Sequence, residues 1–283
     1  TSIMKLIKYQ ALGNDYLVLD LYESKQSLSV NNVKLLCNRN LGVGSDGILL
    51  GPLSSEPYSL KIYNPDGSEA EKSGNGLRIF SKYLSEFYST KRKFDIVVGG
   101  QTISAEIMNH DATSIKVNMG KAKFRSSEIP VNSKNSECIN EEVDVLGETL
   151  KVNCVSMGNP HCVVIKDDIS SELAVKYGPI LEMHNMFPNR TNVQFAKVLS
   201  RNKVQLEIWE RGAGYTLASG SSSCGAVSVL YRKGLVDNKV EVVMPGGNLN
   251  IEIDESSKEV WMIGEVQKTF EVNLSENLKS KLF

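Results

Sequence analysis

A series of short motifs runs through this chain twice, in the same order and about 145 residues apart. Gly13-Asn14-Asp15-Tyr16 returns as Gly158-Asn159-Pro160-His161, and Ser73-Gly74, at the head of an apolar-periodic stretch, returns as Ser219-Gly220. Val97-Val98-Gly99-Gly100 and the alternating run after it return as Gly246-Gly247 and the run from Leu249 to Ile253. Val117-Asn118-Met119-Gly120 returns as Trp261-Met262-Ile263-Gly264. Four matches at a nearly constant offset predict two copies of one structural unit, each of about 140 residues and long enough to bury its own core. The copies are expected over residues 1–125, with room for C-terminal residues to pack on that unit, and 143–275. The polar, aperiodic stretch 126–142 reads as the linker. Two copies can set two like groups face to face across a pseudo-two-fold axis, which suits chemistry on both faces of one atom.

Composition excludes several classes without selecting one. The 32 basic and 33 acidic residues leave a net charge of −1, so no broad basic surface points to nucleic acid or an anionic membrane. No apolar run approaches the roughly 18 residues of a membrane span, and no charged-then-apolar leader pattern opens the chain. The five cysteines, Cys37, Cys138, Cys154, Cys162 and Cys224, include no C-x-x-C pair and read as small buried hydrophobes of a reducing compartment. A cytoplasmic protein is expected.

Local patterns predict a mostly sheet structure with one main helix in each copy. Lys5 to Lys8 and Tyr16 to Asp20 read as strands around the turn Ala11-Leu12-Gly13-Asn14, and Tyr58 to Tyr63 alternates as one strand. After Ser73-Gly74-Asn75-Gly76, the residues Leu77, Phe80, Tyr83, Leu84 and Phe87 recur at helical spacing. Ala226, Val227, Val229 and Leu230 do the same after Ser219-Gly220-Ser221-Ser222-Ser223, up to Gly234. A helix N-terminus presents unpaired N–H groups and the positive end of the helix dipole, so both Gly/Ser turns are candidate carboxylate or phosphate sites. The bland alternative is that Ser73 and Ser219 are ordinary N-caps and the glycines only permit the turn.

Several segments together carry a more specific signal. Leu12-Gly13-Asn14-Asp15, Asn64-Pro65-Asp66-Gly67-Ser68-Glu69, Ser73-Gly74-Asn75-Gly76, Met157-Gly158-Asn159-Pro160-His161-Cys162, Thr191-Asn192-Val193 and Glu210-Arg211-Gly212 with Gly214, Thr216 and Ala218 resemble, in order, the motifs of the diaminopimelate epimerase family. The resemblance implies an α/β (α+β) fold of two pseudo-symmetric lobes, each a curled, mainly antiparallel sheet around a central helix, with the site between them. It also implies a small-molecule amino-acid substrate, no metal or other cofactor, and a homodimer. Members of the family use two cysteines: one thiolate takes the α-proton and the other thiol returns one on the opposite face. This interconverts LL- and meso-diaminopimelate in the pathway to lysine and peptidoglycan precursors. A thiol of pKa near 8.5 suits both tasks.

By that resemblance Gly74, Asn75, Gly220 and Ser221 supply backbone donors to the reacting carboxylate. Asn14, Asn64, Asn159, Asn192, Glu210 and Arg211 hold the distal amino-acid end, with Arg pairing bidentately with carboxylate. The chain departs from the family where the chemistry is done. Ser73 and Ser219 occupy the two catalytic cysteine positions, Tyr215 replaces an acidic residue, and Gly47 stands where many members carry a polar side chain. Cys224 and Cys162 match family residues without a proton-transfer role. A serine alkoxide is scarce at neutral pH, so another base is required, and His161 and Glu210 are the candidates. Their bland readings are a hydrogen-bonded structural histidine and a partner for Arg211.

Four functions stay open on sequence alone. The first is an epimerase of the diaminopimelate type, for which the serines make activity doubtful. The others are a racemase or related enzyme for another amino acid, a catalytically silent amino-acid-binding protein, and a chain in which both cysteines were deliberately replaced to trap substrate. Tyr215 and the serine-rich turn favour a natural branch over the last.

Overall fold

The computed structural model describes residues 2–23 and 27–282. The chain divides into two compact units, Thr1–Val117 with Gly264–Phe283, and Asn118–Ile263.

In the first unit the hairpin Ile3–Ala11 and Asn14–Leu21 turns through Leu12 and Gly13 at φ of 55° and 77°, the left-handed pair that a two-residue hairpin turn needs. The hairpin belongs to a six-stranded sheet in the order Gln267–Glu271, Ile3–Ala11, Asn14–Leu21, Ile48–Leu50, Lys61–Tyr63, Glu69–Ala70. Asn14–Leu21 and Ile48–Leu50 are parallel, and helix α1, Val30–Cys37, lies in the crossover between them. A second series joins Tyr58–Ser59, Lys93–Val98, Gln101–Ile107 and Ser114–Lys121. Helix α2, Gly74–Phe87, packs against Ile3–Ala11, Asn14–Leu21 and Gln101–Ile107. Its Leu77, Ile79, Phe80, Tyr83 and Leu84 are all buried, so the helix is covered on more than one face.

The second unit repeats this order. The hairpin Glu148–Ser156 and Pro160–Ile165 is followed by the parallel strand Asn192–Ser200, reached through helix α3, Ser171–Glu182, and then by antiparallel Lys203–Glu210. Helix α4, Gly220–Arg232, packs against Glu148–Ser156, Pro160–Ile165 and Gly247–Ile253. Lys239–Met244 then joins Lys203–Glu210 in parallel and continues through Gly247–Ile253 to Glu259–Glu265. Gly234, at φ 73°, ends the α4 turn as the spacing predicts. Matching strand order, crossover helix and buried helix in both units are what an internal duplication produces. Each unit is mixed α/β and mostly sheet, as expected.

Three details differ from the sequence reading. The run Tyr58 to Tyr63 is two strands, because after Leu60 N donates to Val97 O at 3.1 Å the chain leaves one series and pairs with Ile48–Leu50 in the other. Tyr58, Leu60 and Ile62 remain alternately buried across the break, which is why the run looks continuous. Helices α1 and α3 join the two main ones; for α3 the signal was present in the cap Ser170 and the spacing of Ala174, Tyr177, Gly178 and Leu181. Residues 126–142, read as a linker, contribute Ile129, Val131 and Cys138 to the apolar core of the second unit. Their apolar side chains stand singly among polar ones, so no period shows. Among the described residues no helix is long and apolar enough to cross a membrane, and all five cysteines are buried and outside any disulfide.

Candidate active site

In the first unit the site is built on the start of α2. Ser73, with extended backbone at φ −145° and ψ 120°, caps the helix: its Oγ accepts from Gly76 N at 3.0 Å. Alternate residues of a strand share a face, and Asn14 and Tyr16 use that rule to reach the same helical turn. Asn75 Nδ2 donates to Asn14 Oδ1 at 3.1 Å, and Tyr16 OH donates to Ser73 Oγ at 3.1 Å. Burial pushes the Tyr16 phenol up, against the pull of its bond to Ser73. Asn75 Oδ1 accepts from the buried Arg78 at 2.9 Å, which fixes the amide. Asp15 instead pairs with Lys8 at 2.8 Å and Arg39 at 2.9 Å. Burial alone would raise the Asp15 carboxyl, but hydrogen bonds from Arg39 and Lys8 outweigh it and hold the group below its ordinary range.

Gly47 has a spatial explanation. A Cβ there would lie 2.6 Å from Tyr63 O and 2.7 Å from Tyr16 Cε1, so the Tyr16 ring and the neighbouring backbone occupy the volume a side chain would need. Asn64 lies apart from the α2 cluster in its bonding: its Nδ2 donates to Ser68 Oγ at 3.0 Å within its own turn.

In the second unit the start of α4 is the counterpart. Ser219 Oγ accepts from Ser222 N at 3.2 Å, and Gly220 packs so closely that a Cβ would meet Met262 Sδ at 2.5 Å. Asn159 reaches the same turn, its Nδ2 donating to Ser221 Oγ at 3.4 Å. His161, with no exposed surface, has Nε2 at 2.9 Å from Asn159 Oδ1 and Nδ1 at 3.1 Å from Gln194 Nε2. An acceptor on one side and a donor on the other assign the proton to Nε2. Burial pushes this imidazole down to about 3, so it is neutral at physiological pH with both nitrogens engaged. Gly225 makes room for it, since a Cβ there would lie 3.0 Å from His161 Cγ. Gln194 Nε2 also donates to Ser222 Oγ at 3.0 Å.

Beside this network Glu210 Oε1 accepts from Thr216 Oγ1 at 3.0 Å, and burial raises its carboxyl above the ordinary range. Asn192 is spent on positioning: its Oδ1 accepts from Arg211 N at 2.9 Å and its Nδ2 donates to Pro160 O at 3.0 Å. The Arg211 guanidinium donates to Asn189 O at 3.0 Å. Tyr215 is adjacent to Thr216 on one strand and so points to the opposite face, where its hydroxyl donates to Glu207 Oε2 at 2.6 Å. Burial and then that carboxylate push the Tyr215 phenol up to about 12.

Within the first unit, then, Asn14, Ser73, Gly74 and Asn75 converge on one helix start; within the second, Asn159, His161, Ser219, Gly220 and Ser221 do so, with Asn192, Glu210 and Arg211 linked around a neighbouring strand end. Tyr16, Gln194 and Thr216 are the polar partners that sequence reading did not single out. Tyr16 carried a signal as the residue matching His161 in the repeat, and Thr216 as part of the motif that runs from Glu210 to Ala218.

The sequence of the diaminopimelate epimerase family matches over residues 6–125 and again over 153–269. Diaminopimelate epimerase 2 of Nostoc sp. is 52% identical over 256 residues, covering 89% of each chain. Diaminopimelate epimerase of Methanococcus maripaludis is 35% identical over 272 residues, covering 95% of this chain and 98% of the relative. Among solved structures, a predicted epimerase from Pseudomonas aeruginosa superposes with a TM-score of 0.65 at 13% identity, over 95% of this chain and 98% of that one. A hydroxyproline epimerase from Agrobacterium vitis gives 0.66 at 11% identity, over 96% and 91%. These two likenesses concern the fold. The extent of the sequence matches decides the family: the chain belongs to the diaminopimelate epimerases.

Proposed function

We propose that the chain is an isomerase that inverts an α-carbon of diaminopimelate, a step towards lysine and peptidoglycan precursors, using a serine hydroxyl and a carboxylate in place of the two thiols of the family pattern. The observation that carries this reading is the repeated helix start: Ser73 and Ser219 cap α2 and α4 in the same way, and Asn14 and Asn159 bind the same position of each first turn. Backbone N–H groups at Gly74, Asn75, Gly220 and Ser221 bind the reacting carboxylate, whose charge grows as a carbanion forms. Arg211, with the amides of Asn14, Asn64 and Asn159, recognises the distal amino-acid end, and Asn192 holds Arg211 in place.

Inversion requires one group to take the α-proton and another to return one on the opposite face. Neither serine is an abundant base near neutral pH. Glu210, whose burial makes it more basic than an ordinary carboxylate, takes the proton in one direction, and Ser73 returns one. Ser219 holds the start of α4, and the neutral His161 serves as the bridge that orients Asn159. A homodimer in the cytoplasm completes the proposal.

Incubation with LL-diaminopimelate in deuterated water, followed by proton NMR and chiral separation, tests it. Meso product carrying one deuterium at the inverted centre is expected, at a low rate. Label or inversion only with other amino acids would reassign the substrate. The serines themselves favour a second reading, a binding protein that has lost the chemistry; tight diaminopimelate binding without any exchange would establish that one.

A further inference from the structure

We infer that Tyr16 is the proton-supplying partner of Ser73, a positioning residue that, while protonated, sets this serine to donate a proton. The inference rests on the epimerase reading above and deepens it. A serine hydroxyl has one proton and two acceptor sites. At Ser73 both acceptor sites are filled, one by Gly76 N–H at 3.0 Å and the other by the Tyr16 hydroxyl at 3.1 Å. The serine's own proton is therefore directed away from both partners, and while the phenol holds its proton the oxygen has no free lone pair with which to take an α-proton.

The step balances as follows. The Ser73 O–H bond breaks as the carbanion's electron pair forms the new C–H bond, and the Tyr16 O–H bond breaks as its proton re-forms the serine hydroxyl. A tyrosinate is left, and solvent returns its proton between turnovers; the reverse reaction runs the same shifts backwards. Even pushed above its ordinary pKa near 10 by burial, a phenol carries the negative charge better than an aliphatic alkoxide. The helix N-terminus and Gly76 N–H stabilise whatever charge gathers on Ser73 in passing.

The surroundings are built for this contact. Tyr16 is only 8% exposed, so its hydroxyl meets Ser73 in preference to bulk water. Gly47 leaves its ring the space it needs. The charges facing the phenol are those of Asp46 and Asp15, themselves paired with Arg39 and, for Asp15, with Lys8. The second unit has no equivalent pairing, because the residue at the repeated position, His161, is engaged by Asn159 and Gln194.

The test uses the Ser73→Cys protein with and without Tyr16→Phe. All five native cysteines are buried, so alkylation by iodoacetamide reads the introduced thiol. With the phenol present its thiolate gains a hydrogen bond, and the pH of half-maximal alkylation is expected about one unit lower than in the Tyr16→Phe background. Identical midpoints would overturn the inference. In the serine protein, Tyr16→Phe is expected to lower deuterium incorporation into diaminopimelate at least tenfold while calorimetric binding stays unchanged; undiminished incorporation would also overturn it. A native protein that exchanges no deuterium counts against the epimerase reading, and the alkylation midpoints then decide the Tyr16 contact by themselves.

Discussion

The starts of α2 and α4 have the same backbone and different chemistry. Each is capped by a serine whose Oγ takes the N–H three residues on, and each receives an asparagine from the preceding hairpin. The difference lies two positions beyond each asparagine. In the first unit Tyr16 reaches the cap oxygen itself, whereas in the second the fully buried His161 turns into a chain of Asn159, Gln194 and Ser222. Duplication preserved the serine-capped helix start and left the neighbouring side chains free to diverge. Such asymmetry suits an inversion, in which the two faces of one carbon need opposite partners.

Restoring thiols tests the comparison most severely. The double substitution Ser73→Cys, Ser219→Cys is expected to raise α-proton exchange in deuterated water about a hundredfold or more, because each thiol ionises near neutral pH beside a helix N-terminus. An inert double variant that still binds diaminopimelate would mean that the chemistry of the binding residues, and not only the two hydroxyls, has changed. Each single substitution should restore far less inversion, since one thiol serves one face.

The next effect belongs to the second unit alone. Arg211→Ala is expected to weaken diaminopimelate binding by about 2 to 5 kcal/mol, the scale of a lost charge-assisted contact, and to leave short monocarboxylic amino acids nearly unaffected. Calorimetry with both ligands reads this directly; an equal loss for both would place Arg211 at the reacting end or in the fold.

Opposite limbs of the stability curve should separate Tyr16 from His161. His161 is pushed down from 6.5 to about 3, so below pH 6.5 the unfolded chain binds a proton that the folded one refuses. Stability from this group is complete above that pH and falls by up to about 1.4 kcal/mol per unit as the pH drops towards 3. Tyr16 is raised from 10.0, so its contribution is complete below pH 10 and is lost as the pH climbs above it. Urea midpoints across pH should show His161→Gln flattening the acid limb and Tyr16→Phe the alkaline one; effects on the same limb would contradict the assignment.

The smallest expected difference concerns the asparagine contacts. Asn75→Ala removes a 3.1 Å bond to Asn14 and one partner of buried Arg78, and is expected to cost about 1.5 to 3 kcal/mol. Ser221→Ala removes only a 3.4 Å contact with Asn159 and should cost under about 1 kcal/mol. Equal midpoint shifts in urea would show that the two turns are held alike.

Much of this was legible beforehand for identifiable reasons. Helix α2 was readable because Leu77, Phe80, Tyr83, Leu84 and Phe87 keep one period from an evident cap. The split at Leu60 was not, because alternation of burial continues while the hydrogen-bonding partner changes, and side-chain pattern carries no record of which strand lies alongside. The packing of 126–142 was hidden for a related reason: single apolar residues such as Ile129 and Cys138 find a core only after the chain has folded around them.

The sequence by itself determined the duplication, the serine-capped helix starts and the family, since all three are written in local order and spacing. Tertiary structure alone decided what each cap serine meets. The repeat aligns Tyr16 with His161, yet one hydroxyl arrives at Ser73 and the other ring is enclosed by Gln194 and the space above Gly225. Hydrogen-bond partners depend on distances of a few ångströms between residues tens of positions apart, and only the packed chain sets those distances.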